Sequence, residues 1–212
     1  CNNFCSYCII PYARGNIKSK PKEDVIKEIT KLINNGYKEI VLTGIHTGHY
    51  GKDKYDYDFS DLLTELEKLN IKRLRISSIE ITELDNKFLN VLKNSNIIVD
   101  HLHIPLQSGC DKTLKDMNRK YDTNYYKDKI KSIRCIRPNI SITTDVIVGF
   151  PNETEEDFNN TYNFIKEIEF SKVHVFPYSI REGTKAASMK NQVEGNIKKK
   201  RVHKLLELSK AL

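Results

Sequence analysis

Ser141-Ile142-Thr143-Thr144-Asp145-Val146-Ile147-Val148-Gly149-Phe150-Pro151-Asn152-Glu153-Thr154 is the stretch that decides the fold. Ser141–Val148, rich in β-branched side chains, reads as a strand. Gly149 to Glu153 read as the loop that empties it, and Thr154 as the cap of the next helix. Phe158, Tyr162 and Ile165 give that helix an apolar stripe, and Val173-His174-Val175-Phe176 follow as another strand. Strand, helix, strand in this order is a βαβ unit, which implies parallel pairing.

The same unit recurs upstream. Pro21 sits near a helix start, Val25, Ile26, Ile29, Leu32 and Ile33 keep helical spacing, and Gly36 stops the helix. Glu39 to Thr43 read as a short buried strand ending at Gly44. A Ser60-capped helix with Leu62, Leu63, Leu66 and Leu69 leads to a strand at Arg73–Ser78. A Thr82-capped helix with Phe88, Leu89 and Leu92 leads to a strand at His101–Ile104, and a helix from about Thr123 to Ile136 leads to the quoted strand. Ile197 to Leu212 form a basic amphipathic helix. A closed eight-fold barrel needs about 250 residues, and this chain has 212. With one further strand expected just before Cys1, the reading is α/β: an open, partial TIM-like barrel of about six βα units around a parallel sheet, in one domain over 1–212.

Charged residues make up 30% and apolar residues 39%, as in globular proteins rather than disordered ones. No apolar run reaches the ~18 residues of a membrane span, and no secretory leader opens the chain. The chain starts on a candidate ligand without an initiator Met, so it is read as an excerpt of a longer one. Lys and Arg outnumber Asp and Glu by 35 to 28. That balance is compatible with a nucleic-acid partner, and equally with a Lys-rich composition alone. Five cysteines without paired spacings argue against a disulfide framework and for a reducing compartment.

Cys1, Cys5 and Cys8 stand as C-x3-C-x2-C. Spacing alone leaves two readings: a partial zinc site or chance cluster, or a 4Fe–4S cluster with one iron open to a small molecule. In parallel α/β folds ligands gather at the carboxyl ends of strands. Here every strand empties into polar or glycine-rich residues, including Gly44 to Gly51, Ser77 to Glu80, Gln107 to Gly109 and Gly149 to Thr154. His46, His101 and His103 read as ordinary core or surface histidines ahead of metal ligands, Cys110 and Cys135 as a small buried residue or surface thiol, and Arg14 as either ligand-facing or solvated.

Cys1 to Gly15, Leu102 to Gly109, Met117 to Tyr121, Thr144 to Pro151 and Phe176 to Ser179 together resemble the radical S-adenosylmethionine core of the methylthiotransferases. Thr43-Gly44-Ile45-His46-Thr47-Gly48 and Ser77-Ser78-Ile79-Glu80 resemble the branch acting on tRNA threonylcarbamoyladenosine. The resemblance implies that Cys1, Cys5 and Cys8 hold a 4Fe–4S cluster that cleaves S-adenosyl-L-methionine (SAM). The resulting radical opens carbon 2 of the adenine beside the anticodon for a methylthio group. Tyr7, Gly44, Glu80, Gln107, Ser108, Arg119 and Asp145 become the SAM-pocket candidates, with Arg119 suited to grip a carboxylate. The implied partners are tRNA, SAM and an electron donor in the cytoplasm, with no membrane.

The family also has an amino-terminal domain holding a second 4Fe–4S cluster and a carboxyl-terminal β-domain that binds RNA. Neither is expected within 1–212, so the excerpt alone is expected to fall short of full turnover. Asn152 stands where relatives often carry Gly. Arg14 to Lys20 hold fewer arginines than expected for bidentate phosphate contact. Lys198-Lys199-Lys200-Arg201 read as a solvated helix face or a phosphate contact. The competing readings are methylthiolation of isopentenyladenosine in tRNA and a non-catalytic iron–sulfur RNA-binding module.

Overall fold

Alternating side chains along Ser141–Val148 build the middle of the structure. In a computed structural model describing residues 1–212, this segment is strand β4, and its burial alternates strictly. Ile142, Thr144, Val146 and Val148 are buried towards the helices, while Ser141, Thr143, Asp145 and Ile147 are half-buried on the opposite face. The other strands are β1 (Glu39–Leu42), β2 (Arg73–Ile76), β3 (His101–His103) and β5 (Lys172–Pro177). All pairing is parallel, β1 with β2 and β3-β4-β5 in sequence order. Leu74 bridges to Ile98, and the Ile79 amide donates to the His103 carbonyl at 3.0 Å, which joins the two groups. β1 and β5 each have a strand neighbour on one side only, so the barrel is open, as expected.

The helices are α1 (Ile10–Arg14), α2 (Lys22–Asn34), α3 (Phe59–Leu66), α4 (Asn86–Asn94), α5 (Asp111–Asp116), α6 (Thr123–Ile136), α7 (Glu155–Ile168) and α8 (Gly195–Ala211). The predicted bounds of β4 and α6 hold. So does the Thr154 cap of α7, which forms a reciprocal box with Asp157. Two expected caps shift. Asp58, not Ser60, caps α3, and Asp85, not Thr82, caps α4. A carboxylate at the N-cap both accepts the free amide and meets the positive helix end. Strand β1 is also not fully buried: Ile40 is, but Glu39 and Val41 face the open interior. α1 and α5 were not foreseen, being too short to show a helical period.

One buried ion pair ties α8 across the loop after β4. Glu153 Oε1 accepts from the Gly149 amide at 2.9 Å and from Arg201 Nη1 at 2.7 Å, with both side chains almost fully buried. Lys198 Nζ donates to the Tyr178 carbonyl, and its stem lies where a Cβ on Gly149 (φ +71) would stand. Two members of the basic run are therefore internal fasteners, while Lys199 and Lys200 remain exposed. Asn152 sits at φ 66, a backbone region that Asn tolerates better than most residues, and its side chain accepts from Asn191 Nδ2.

Arg201→Met should lower stability at pH 7 by about 3 kcal/mol, because it strands the Glu153 carboxylate. Burial already raises the Glu153 pKa against the pull of Gly149 and Arg201. A raised carboxylate pKa favours folding at low pH and loses that contribution as pH rises. Urea midpoints of the variant should therefore recover towards wild type as pH falls towards 4.5, the ordinary value that Glu153 keeps in the unfolded chain. Asp157 has the opposite sign. Burial pushes its pKa up, but Lys112 and Thr154 pull it further down, from 3.8 to about 2. Its contribution is present above pH 3.8 and lost towards pH 2, so Asp157→Asn should flatten that part of the acid unfolding curve.

Candidate cluster and cofactor site

Loop 1–9 crosses the carboxyl ends of the strands and is held there by its backbone. The Ser6 amide donates to the Met117 carbonyl at 3.0 Å, and the Ser6 carbonyl accepts from the Ala186 amide at 2.8 Å. Ser6 Oγ donates to the Asp116 carbonyl and Asn118 Nδ2 to the Phe4 carbonyl. Tyr7 packs edge-on against Phe150, which forms a small second core with Met117, Tyr178 and Ala186. The residues between the cysteines are thus the anchors, and Cys1, Cys5 and Cys8 are left half-buried as free thiols. Groups whose ligand atoms all lie within 4.8 Å occur at His46, His49 and Glu83 and at His103, Asp145 and His174, not at the cysteines. Three half-buried free thiols on one loop suit a multi-iron cluster with one iron left open.

Arg119 organises the next layer. Its side chain is 4% exposed and pairs through Nη2 with Glu80. Nη1 donates to Cys5 Sγ at 3.2 Å and to the Tyr7 hydroxyl at 3.5 Å, and Nε donates to the Tyr121 hydroxyl at 3.1 Å. Tyr121 in turn donates to the Leu106 carbonyl at 2.8 Å. Burial pushes the Tyr7 and Tyr121 phenols well up, so both stay protonated donors at neutral pH. The guanidinium expected to meet a ligand carboxylate is here engaged by Glu80 and a candidate cluster thiol.

Asp145 stands on the inner face of β4, its Oδ2 3.3 Å from His103 Nε2 and paired in register with His174. Thr143 Oγ1 contacts both His101 and His103, so the histidines of β3 form a polar floor inside the barrel. Burial lowers the His101 pKa. The Gln107 amide donates to the Asp145 carbonyl at 2.8 Å, and Gln107 holds a positive φ of 67. The structure thus brings Tyr7, Glu80, Arg119 and Cys5 together, with Asp145 and Gln107 joined nearby.

Gly44 and Ser108 stand apart. The Ser108 hydroxyl is buried against Thr161 Oγ1 at 3.1 Å, facing α7 rather than the interior. Gly109 serves the same contact, since a Cβ there would lie 2.7 Å from Phe164 Cβ and 2.9 Å from Thr161 Cα. Gly44 and the exposed Arg14 line a cavity of about 560 Å³ with Cys1 and His46, along the free edge of β1. Glu80, Arg119 and Asp145 are not among its walls. Cys110 is buried, its thiol beside Asp157, and Cys135 is exposed. Sequence reasoning missed Tyr121, His49 and Glu83 and took His46 for ordinary. The only signal was the His-x2-His spacing of residues 46 and 49.

A parallel partial barrel whose strand ends carry three free thiols is a scaffold for a metal cluster and a small polar ligand. The chain belongs to the Radical SAM superfamily, which it matches over residues 1–165. It is 54% identical over 214 aligned residues to the threonylcarbamoyladenosine tRNA methylthiotransferase MtaB of Bacillus subtilis (strain 168), covering 100% of this chain and 48% of that protein. It is 44% identical to the tRNA-2-methylthio-N(6)-dimethylallyladenosine synthase of the same organism, covering 97% and 41%. The chain therefore spans about half the length of the curated relatives it matches. Streptococcus suis SuiB bound to S-adenosylmethionine shares the fold, with a TM-score of 0.65 at 16% identity, over 96% of this chain and 44% of that one.

Glu80→Ala should cost about 3 kcal/mol, because it leaves the buried Arg119 charge without its carboxylate. A urea midpoint equal to wild type would mean that water already serves this guanidinium.

Proposed function

We propose that this chain is the SAM-cleaving core of a tRNA methylthiotransferase that modifies carbon 2 of threonylcarbamoyladenosine beside the anticodon. The observation that carries this reading is the higher identity, over the whole chain, to the threonylcarbamoyladenosine enzyme than to the dimethylallyladenosine synthase. The core is residues 1–212. A 4Fe–4S cluster with one open iron would supply the electron that cleaves SAM.

In this reading Cys1, Cys5 and Cys8 hold the cluster. Arg119, oriented by Glu80 and Tyr121, places an N–H on the Cys5 sulfur, and a charge-assisted donor there steadies a thiolate ligand. Tyr7, Glu80, Gln107 and Asp145 would border SAM between the cysteine loop and the inner faces of β3 and β4, while Gly44 lies apart from them on the cavity beside β1. Ser108 contributes through the loop it fastens to α7. The half-buried ring of strand ends limits water around the reacting groups. The second cluster, the RNA-binding β-domain and the electron donor would act with this core to complete the reaction. The moderately basic charge suits a tRNA partner. No helix is long and apolar enough to cross a membrane, which accords with a cytoplasmic enzyme.

Reconstituted anaerobically with iron and sulfide, the full-length protein should release 5′-deoxyadenosine from SAM, and Cys5→Ala should abolish that release. Iron binding without cleavage would favour a non-catalytic module. Mass spectrometry of tRNA nucleosides from cells lacking the gene should show loss of the methylthiolated threonylcarbamoyl species. Loss of the isopentenyl species instead would reassign the substrate.

A further inference from the structure

The loop after β1 and the turn after β2 build a second constellation that the proposed reaction does not use. Thr47–His49 form a single 3-10 turn with His46 as its N-cap. Three residues per turn eclipse positions three apart, so His46 and His49 leave on one side, their rings stacked with centroids 3.8 Å apart. Glu83 reaches the same point from the 3-10 turn Ile81–Glu83. Both Nε2 atoms close on one oxygen, Glu83 Oε1, in contact for His46 and at 3.0 Å for His49. Gly48 makes this approach possible, because a Cβ there would run into the Glu83 carboxylate.

Within the protein the facing polar atoms of this cluster meet only in histidine–carboxylate contacts that lack hydrogen-bond geometry. The His46 and Glu83 side chains are 4% and 3% exposed. His46 Nε2, His49 Nδ1 and both Glu83 oxygens are buried without a hydrogen bond of proper geometry. Buried polar atoms are rarely left so, since each costs the desolvation it is not repaid. Here His46 Nε2 and the Glu83 carboxylate meet the His49 ring, with one ligand atom from each residue and all within 4.8 Å. Two imidazole nitrogens and one carboxylate oxygen are the donor set of a borderline divalent ion. They suit zinc with a fourth position left open, and are poor for magnesium or calcium, which take oxygen donors.

We propose that His46, His49 and Glu83 form a mononuclear divalent transition-metal site of the zinc class, separate from the three cysteines. Metal on His46 Nε2 places the ring proton on Nδ1, which lies 3.5 Å from Cys1 Sγ. An occupied site thereby aims an N–H donor at the first cysteine of the cluster loop and clamps the β1 and β2 loops together.

The test uses the full-length protein, reconstituted anaerobically so that its cysteines carry iron and sulfide, then freed of loose metal with a chelator and titrated with Zn²⁺ alone. Wild type should bind one more equivalent of zinc than His49→Gln or Glu83→Gln, or bind it at least about 10-fold more tightly. X-ray absorption at the zinc edge should show nitrogen and oxygen neighbours only. His49 is 25% exposed, so His49→Gln should keep the circular dichroism and iron–sulfur absorption of wild type while losing the zinc. Equal zinc binding by wild type and His49→Gln, no zinc uptake at all, or sulfur in the zinc shell would each overturn the site.

Discussion

The buried guanidinium of Arg119 is the constraint on which the candidate site depends. A positive charge with a side chain 4% exposed is tolerated only where its donors are met. Glu80, Tyr7, Tyr121 and Cys5 meet them. Those partners come from the loop after β2, the loop after α5 and the cysteine loop. One side chain therefore fixes the distance between strand ends and thiols. The Cys5 sulfur is the candidate cluster ligand of this set, which makes Arg119 a structural residue and an electrostatic neighbour of that thiol at once.

The rest of the fold supports this arrangement from two sides. The main core fills the space between the helices and the outer faces of the strands, running from Ile29 through Val146 to Leu208. The small core of Met117, Phe150, Tyr178 and Ala186 lies under the cysteine loop instead. Glu153 and Arg201 close the barrel's later end by holding α8 to the loop after β4. Residues that look like ligand-binding polar groups are then spent on architecture. Ser108 and Gly109 fit the loop after β3 to α7, and Lys198 and Arg201 leave the basic run with two free cations.

The resulting interior differs from that of a closed barrel. Packed barrels fill their centre with branched apolar side chains. Here the inner positions of β2 to β5 include Arg75, His101, His103, Thr143, Asp145 and His174, half-buried and facing one another. A polar floor beneath a thiol loop is the setting in which a charged, nucleoside-like ligand can be oriented by hydrogen bonds. The cavity beside β1 is bounded by α2 and the Arg14–Lys20 segment, and Arg119 is not among its walls.

Local chemistry made much of this legible in advance. Strand β4, helix α6 and the Thr154 cap follow from side-chain periodicity and hydrogen bonding within a few residues, so their reading needs no partner. The C-x3-C-x2-C spacing is likewise a property of one loop. What stayed hidden is set by residues distant in the chain. The two misplaced caps were decided by which acceptor reached the helix amides. Ser108 was turned towards α7 by Thr161, and Glu83 was brought beneath His46 and His49 by the packing of two loops. Sequence by itself determined the order of strands and helices and the ligand types on the loops, because those depend on local backbone and side-chain preferences. Only the tertiary structure decided which of those groups are buried, paired and aimed at a common point, because burial and charge pairing belong to the packed whole.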